Sequence, residues 1–275
     1  MSLPARDAIL PWMDAHIHLD LYDEAERAPL LEQAFADGGE AVVAVSMNLE
    51  SSRVNYELAR SFPGRVLPAY GFHPEQPVPT EQQMSDLVEW IRERHEAGES
   101  FAIGEVGLPY YTRMAAQSEA TPFDEEPYLQ LLDTFIALAA ELRRPIVLHA
   151  VYEDADKACD MLEQYGVKRA HFHWFKGSMA TIQRMIALGC FISITPDVSY
   201  ESEIQELVRA YPLELMMAET DGPWPFEREY EGLATKPSMV LDVIHHIAQL
   251  KGISVETASA ALLNNARRMY ESPLI

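Results

Sequence analysis

The chain has 275 residues, of which 48% are hydrophobic and 23% charged, and its formal net charge is −22. This composition is typical of a folded globular protein and excludes collagen-like and intrinsically disordered classes. The acidic balance argues against an extended basic surface for nucleic acid, so any such contact is expected to be local. With two cysteines and no apolar run long enough for a signal peptide or a membrane span, a cytoplasmic location and no membrane contact are expected.

Eight apolar segments rich in Val, Ile and Phe alternate with segments of helical periodicity. The predicted strands are Trp12–Leu19, Ala41–Ser46, Val66–Gly71, Phe101–Val106, Pro145–His149, Arg169–Phe175, Cys190–Ile194 and Leu213–Glu219. The predicted helices are Glu24–Asp37, Glu50–Phe62, Glu81–Ala97, Pro127–Leu142, Glu153–Tyr165, Ser178–Leu188, Ser202–Tyr211, Lys236–Lys251 and Ser254–Tyr270. Eight such β/α units predict an α/β protein, a (β/α)8 TIM barrel formed as one domain by residues 1–275, with the active site at the carboxyl ends of the strands.

Two segments interrupt this alternation and are predicted to be loops at the active-site face. Pro109–Glu126 follows the fourth predicted strand, and Gly222–Ala234 follows the eighth. Both contain proline and aromatic residues, which could either wall a substrate pocket or pack a long loop onto the barrel.

Six potential metal ligands lie on or just after the first, fourth, fifth, sixth and eighth predicted strands. They are His16, His18, Glu105, His149, His173 and Asp221. Side chains alternate along a strand, so His16 and His18 point to the same side and can hold one cation. Each residue alone has an ordinary explanation in packing, a salt bridge or a turn, but their joint placement favours a hydrolytic metal site. Mixed imidazole and carboxylate donors suit Zn, Mn, Co or Fe, and Mg is also compatible.

Seven short motifs, five of which contain these positions, occur in order along nearly the whole chain. They are Asp14–Asp20, Gly71–Pro74, Gly104–Leu108, Pro145–His149, His173–Ser178, Glu219–Pro223 and Asn265–Arg268. In these motifs the chain resembles the TatD family of metal-dependent hydrolases, within the amidohydrolase-like barrels. His171 shares a strand face with His173 and is a competing ligand, but His173 is preferred because the family motif continues after it.

The resemblance implies a site with two divalent metal ions that activate a water molecule for hydrolysis. One ion would be held by His16, His18 and Asp221, the other by His149 and His173, and Glu105 would bridge them. Asp221 and Glu105 are the predicted catalytic residues, with Asp221 accepting a proton from the water and passing one to the leaving group. The identity of the ions stays open among Zn, Mn, Mg, Co and Fe.

Two further residues are predicted to bind substrate. His73 matches a family position that holds phosphate, with packing beside Pro74 as the alternative. Lys176 precedes a predicted helix whose free N–H groups could bind an anion, with an ordinary N-cap by Ser178 as the alternative.

The chain departs from the family pattern at Pro109, at Ala150-Val151 and at Thr235–Ser238. Ala150-Val151 lacks the family arginine, and with it a bidentate phosphate contact. The leading expectation is a phosphodiester hydrolase, a DNase of the 3′–5′ exonuclease type acting on DNA ends or short nucleic-acid fragments. The alternatives are a small-molecule amide or ester hydrolase with the same dinuclear site and, third, a non-catalytic metal-binding scaffold.

Overall fold

The computed structural model describes residues 10–270, in which eight parallel strands form one sheet in sequential order. The strands are β1 (Trp12–Ile17), β2 (Gly39–Ala44), β3 (Val66–Tyr70), β4 (Ala102–Gly107), β5 (Ile146–His149), β6 (Ala170–Phe172), β7 (Phe191–Ile194) and β8 (Met216–Ala218). The first and last strands meet just beyond their carboxyl ends, where the N–H of His18 donates to Gly222 and that of Asp221 donates to His16. The sheet is thus a nearly closed barrel, and the predicted TIM barrel is confirmed.

Helices alternate with the strands along the chain. They are α1 (Glu24–Ala36), α2 (Leu49–Ser61), α3 (Glu81–Glu96), α4 (Tyr110–Ser118), α5 (Glu126–Leu142), α6 (Glu153–Tyr165), α7 (Met179–Leu188), α8 (Ser202–Ala210), α9 (Val240–Lys251) and α10 (Val255–Tyr270). Polar caps fix several of their starts, since Asn48 accepts from Ser51 at the start of α2 and Thr80 forms a capping box with Gln83 at the start of α3.

The prediction of a loop over Pro109–Glu126 is wrong in its first half, which contains α4. None of the side chains of α4 is buried, and the proline and aromatic residues of the segment had favoured a loop. The second predicted loop, Gly222–Ala234, contains no α-helix or strand and only a short 3-10 turn at Arg228–Tyr230.

Two strands are markedly shorter than their apolar patterns predicted. β6 covers only Ala170–Phe172, and β8 covers only Met216–Ala218 because a 3-10 turn, Leu213–Leu215, precedes it. The residues beyond the strand ends lie in the loops of the carboxyl face. The extent of one domain over residues 1–275 stays a prediction, because residues 1–9 and 271–275 lie outside the described part.

The apolar core lies on both faces of the sheet. One large cluster packs residues such as Phe135 of α5 and Ile244 of α9 against strand residues such as Phe172. A second cluster joins Val43 and other strand residues to Met269 of α10. Packing on both faces fixes the strand ends, and with them the side chains of the carboxyl face.

Among residues 10–270, no helix combines the length and the apolar character needed to span a bilayer.

Candidate metal centre

The six predicted ligands meet at the carboxyl end of the barrel. His16 and Glu105 lie within β1 and β4, His149 is the last residue of β5, and His18, His173 and Asp221 lie just beyond β1, β6 and β8. Each of the six is at most 8% exposed. The strand ends therefore bring together residues that lie more than 200 positions apart in the sequence, in a buried cluster.

One oxygen of Glu105 faces the two histidines of the first motif. Its Oε2 lies 3.1 Å from Nε2 of His16 and 3.1 Å from Nε2 of His18. Oδ1 of Asp221 lies 3.3 Å and 3.5 Å from the same two nitrogens. Ligands of a tetrahedral cation with bonds of ~2.1 Å lie ~3.4 Å apart, so the four atoms have the spacing of a metal-binding set.

The other oxygen of Glu105 faces a second group of imidazoles. Oε1 lies 2.9 Å from Nδ1 of His149 and 2.8 Å from Nε2 of His173, and these two nitrogens are 3.1 Å apart. Nε2 of His73 lies 3.4 Å from the same oxygen. Glu105 thus presents one oxygen to each group, which is the arrangement of a carboxylate that can bridge two cations.

Several potential metal-binding atoms of the cluster are buried without a hydrogen-bond partner in the part of the chain that the structure describes. Nε2 of His16, Oε2 of Glu105 and Oδ1 of Asp221 are buried and make no hydrogen bond within the described chain. Such atoms are normally paired, because an unsatisfied buried polar group costs roughly 1–3 kcal/mol. Four overlapping sets of three His or carboxylate residues place their ligand atoms within 4.8 Å of one another. The residues present therefore fit divalent metal ions.

The electrostatics of the cluster agree with this fit. Burial acts to raise the pKa of Glu105, but the surrounding histidines, with His173 foremost, hold it well below its ordinary value. Burial and a neighbouring imidazole act to lower the pKa of His16, but the carboxylates of Glu105 and Asp221 outweigh them and raise it to about 9. In the absence of metal, protons on histidines such as His16 thus balance the negative charge of the carboxylates, which cations would balance in the loaded site.

Glycine at position 107 allows β4 and β5 to approach each other at the site. A Cβ atom on Gly107 would lie 1.9 Å from the carbonyl oxygen of His149. Any side chain there would push away the strand end that carries His149.

Glu219 is a buried carboxylate at the site that sequence reasoning did not assign. Its Oε2 lies 4.0 Å from Nδ1 of His16, and its Oε1 lies 3.7 Å from Nδ1 of His173. Oε1 also accepts a hydrogen bond of 2.8 Å from the backbone N–H of Trp174. A carboxylate behind metal-binding imidazoles orients their rings. The available signal was its place at the end of the eighth predicted strand, two residues before the predicted ligand Asp221.

Glu75 is a second carboxylate that sequence reasoning missed. It follows the motif that contains His73, and its Oε1 lies 3.4 Å from Nε2 of His149. Burial acts to raise its pKa, but the hydrogen-bonding groups of His149 and Thr112 lower it to about 2. The carboxylate is therefore ionised at neutral pH.

The two residues predicted to bind substrate have different surroundings. His73 lies in the cluster itself and forms a possible ligand set with His18 and Glu105. Lys176 lies outside the ligand sets; its Nζ is 4.0 Å from Oδ2 of Asp197 and 5.7 Å from the ring centroid of Trp174.

Ser178 and His171 make contacts that stabilise the fold and do not belong to the metal-binding cluster. Oγ of Ser178 accepts the N–H of Thr181 and caps α7, as the alternative for this turn predicted. The ring nitrogens of His171 lie 2.5 Å from the hydroxyls of Tyr270 and Ser193. In the described residues, His171 belongs to no metal-binding set, which favours His173 as the ligand.

Three of the positions that depart from the family pattern, Pro109, Ala150 and Val151, carry no charge. Ala150 and Val151 are buried at 0% and 3% exposure. Thr235 joins two loops, since its hydroxyl donates to the carbonyl of Trp224 and its own carbonyl accepts from the hydroxyl of Tyr22.

Comparison with known proteins identifies relatives over the length of the chain. The chain is 34% identical over 258 residues to a protein of Haemophilus influenzae described as an uncharacterized metal-dependent hydrolase, covering 94% of this chain and 98% of that protein. It is 29% identical over 265 residues to human deoxyribonuclease TATDN3, covering 94% of each. It is 25% identical over 254 residues to the 3′-5′ ssDNA/RNA exonuclease TatD of Erwinia tasmaniensis, covering 89% of this chain and 93% of that protein.

Solved structures agree in fold. The TatD homologue YJJV of Escherichia coli superposes with a TM-score of 0.80 at 23% identity, covering 96% of this chain and 100% of that chain. Residues 13–271 match the family model described as TatD related DNase. The chain therefore belongs to the TatD family of metal-dependent hydrolases, as its motifs predicted.

Proposed function

We propose that this hydrolase cleaves phosphodiester bonds, as a DNase of the 3′–5′ exonuclease type acting on DNA ends or short nucleic-acid fragments. The observation that carries the proposal is the position of Glu105, whose two oxygens face two separate groups of imidazoles. A pair of cations held in this way suits a phosphodiester, in which both the attacking and the leaving oxygen need stabilisation.

We assign the six ligands to two divalent ions, which we expect to be Zn, Mn, Mg, Co or Fe. His16, His18 and Asp221 would hold one ion, His149 and His173 the other, and Glu105 both. Such ions would supply Lewis acidity and lower the pKa of a bound water to about 7. Glu105 would contact both ions and hold the two ligand groups together, and for this reason we count it among the catalytic residues.

We assign proton transfer to Asp221. Burial acts to raise its pKa, but the hydrogen bond and charge of His16 bring the pKa below its ordinary value. The carboxylate is thus ionised at neutral pH and can accept a proton from the attacking water. After cleavage, the carboxylate of Asp221 can pass this proton to the leaving group.

We propose substrate contacts for His73 and Lys176. The side chain of His73 is 12% exposed and can donate a hydrogen bond toward a phosphate at the mouth of the site. Its place in a ligand set makes direct metal binding the alternative for this residue. Lys176 follows the loop that carries His173, and its ammonium can meet a phosphate farther along a bound strand.

A small-molecule amide or ester hydrolase is the second candidate. Two observations favour it: the buried pair Ala150-Val151, where the family pattern has a polar residue and an arginine, and the net charge of −22. A non-catalytic metal-binding scaffold is the third candidate, and the complete ligand set argues against it. We also propose a cytoplasmic location, because Cys159 and Cys190 are free and buried, as is typical of proteins from reducing compartments.

The test is a nuclease assay on metal-stripped protein reloaded with Mn, Mg or Zn. Single-stranded DNA labelled at its 5′ end should shorten stepwise from the 3′ end, and a blocked 3′ end should stop the reaction. Glu105→Gln and Asp221→Asn should abolish it. Intact DNA together with metal-dependent cleavage of amides or esters would favour the second candidate, and bound metal without turnover of either substrate would favour the scaffold.

A further inference from the structure

Glu75 connects three segments that are far apart in the sequence. Its Oε1 accepts the N–H of Tyr111 at 2.9 Å, and its Oε2 accepts the N–H and the hydroxyl of Thr112 at 2.8 Å and 2.5 Å. On its other side, Oε1 lies 3.4 Å from Nε2 of His149. One carboxylate from the loop after β3 thus meets both the start of α4 and the end of β5.

Helix α4 depends on an acceptor from outside its own segment. Its N-cap residue is Pro109, which has no side-chain acceptor, and none of its nine residues is buried. The first N–H groups of a helix need acceptors, and a negative charge beside them is favourable. Glu75 supplies both the hydrogen-bond acceptors and the negative charge. Arg113 provides a separate anchor for α4 through the carboxylates of Glu125, Glu153 and Asp154.

The same carboxylate faces the outer nitrogen of a proposed metal ligand. Nδ1 of His149 points to Glu105 at 2.9 Å, so Nε2 is the nitrogen that points away from the cluster. Within the described chain Nε2 has no hydrogen-bond partner, and the carboxylate of Glu75 is the acceptor within reach. A carboxylate in this position fixes the tautomer and the rotation of a metal-binding imidazole.

We propose that Glu75 is a positioning residue that orients His149 for its cation and at the same time fixes α4 at the rim of the site. The inference rests on the proposed assignment of a cation to His149 and His173. Tyr111, which is 52% exposed, lies on α4 with its ring centroid 6.1 Å from that of His149. Glu75 therefore links the cation to a part of the rim that a substrate can reach.

The first test is Glu75→Gln, which keeps the size of the side chain and removes its charge. Equilibrium dialysis of the whole chain against Mn or Co, with metal counted by mass spectrometry, should give two bound ions in the wild type. In the variant, one of the two should bind 10–100-fold more weakly, which is the usual effect of removing a carboxylate behind a metal-binding histidine. The other ion should bind as in the wild type.

A matched variant separates the two roles of Glu75. Thr112→Val removes one hydrogen bond between α4 and Glu75 and leaves the carboxylate beside His149. Amide hydrogen exchange at the start of α4 should become faster in this variant, whereas the affinity for both ions should stay within about twofold of wild type. Equal metal affinity in Glu75→Gln and the wild type, with or without faster exchange in α4, would overturn the inference and leave Glu75 as no more than a helix cap.

A measurement on the wild type keeps the inference testable if Glu75→Gln does not fold. Because coupling between sites is reciprocal, metal binding should slow amide exchange at Tyr111 and Thr112. If metal does not change amide exchange at Tyr111 and Thr112, the inference about Glu75 is overturned while the proposed function is not affected. A wild-type chain that binds fewer than two ions would overturn the proposed function together with the inference.

Discussion

The imidazole rings of His16 and His173 stack, with their centroids 3.9 Å apart and their planes 11° apart, although one lies in β1 and the other follows β6. Both Nε2 atoms point to Glu105, at 3.1 Å and 2.8 Å, and both Nδ1 atoms face Glu219. The two rings thus share one carboxylate in front of them, Glu105, and another behind them, Glu219. Two protonated imidazoles repel each other at this distance. The neighbouring carboxylates outweigh that repulsion and raise the pKa of both histidines.

The first prediction concerns the carboxylate that the two groups share. Glu105→Gln should weaken binding of both ions and reduce phosphodiesterase activity at least ~10³-fold, because a bridging charge is lost from a buried site. Dialysis with metal counting measures the first effect, and the DNA assay measures the second. Glu89→Gln, on the exposed face of α3, is the control and should match the wild type. Full occupancy of both ions in Glu105→Gln would contradict the bridging assignment.

A second prediction concerns the carboxylate behind the stacked rings. Glu219→Gln should lower the affinity for both ions ~10–100-fold, because His16 and His173 belong to different proposed ions and lose the same orienting group. Glu75→Gln, in contrast, is expected to affect one ion. Titration of both variants with Co, followed by its visible absorption, distinguishes these patterns. Loss of a single ion in Glu219→Gln would show that Glu219 does not serve both rings.

Sequence reasoning succeeded where a pattern is local. The alternation of apolar segments predicted the eight strands, and the spacing of His16 and His18 predicted that both side chains point to one centre. The structure places Nε2 of each histidine 3.1 Å from the same oxygen of Glu105. Buried strands have the strongest local signal, and the ligands lie on or beside them.

Local patterns do not report partners that are distant in the sequence. α4 was missed because its stabilising acceptor, Glu75, lies 36 residues before Tyr111. The roles of Glu75 and Glu219 depend on which rings lie beside them, and no local pattern contains that information. The backbone of Asp221 has a positive φ of 49°, which is sparsely populated for residues other than glycine.

A third prediction tests the close approach of β4 and β5. Gly107→Ala should destabilise the chain by about 1–3 kcal/mol and weaken metal binding, because the new Cβ would overlap the backbone of His149. Urea unfolding and metal counting measure the two effects. Gly64→Ala serves as the control; it has a φ of +74° and open space, so it should cost stability through its backbone without changing metal affinity. Unchanged stability in Gly107→Ala would mean that the strands separate without cost.

A fourth prediction separates substrate binding from metal binding. Lys176→Gln should raise KM for DNA several-fold and leave the affinity for both ions unchanged, because its ammonium lies outside the ligand sets. If Lys176 meets a phosphate, the variant should also reduce the slope of log affinity against log salt concentration by about 1. Steady-state kinetics at several salt concentrations measure both quantities. Lost metal with an unchanged KM would assign Lys176 to the metal centre.

The last prediction concerns pH and follows from the protons that the metal-free cluster holds. The pKa of His16 rises from 6.5 to about 9 on folding, so the folded chain binds this proton more tightly than the unfolded chain. The resulting stability is complete below pH 6.5 and is lost as the pH rises from 6.5 to about 9. Burial raises the pKa of Asp14 to about 8, which gives the same direction of change.

Bound metal should counteract this loss of stability at rising pH, because a cation binds the neutral imidazole and so displaces the proton. The gap in Tm between metal-loaded and EDTA-treated protein should therefore widen from pH 6.5 to pH 8.5. Calorimetric titrations in buffers of different ionisation enthalpy should detect protons released on metal binding near pH 7. A gap that stays constant with pH would mean that the histidines are already neutral before the cation arrives, and that the carboxylates of the cluster do not keep these rings protonated.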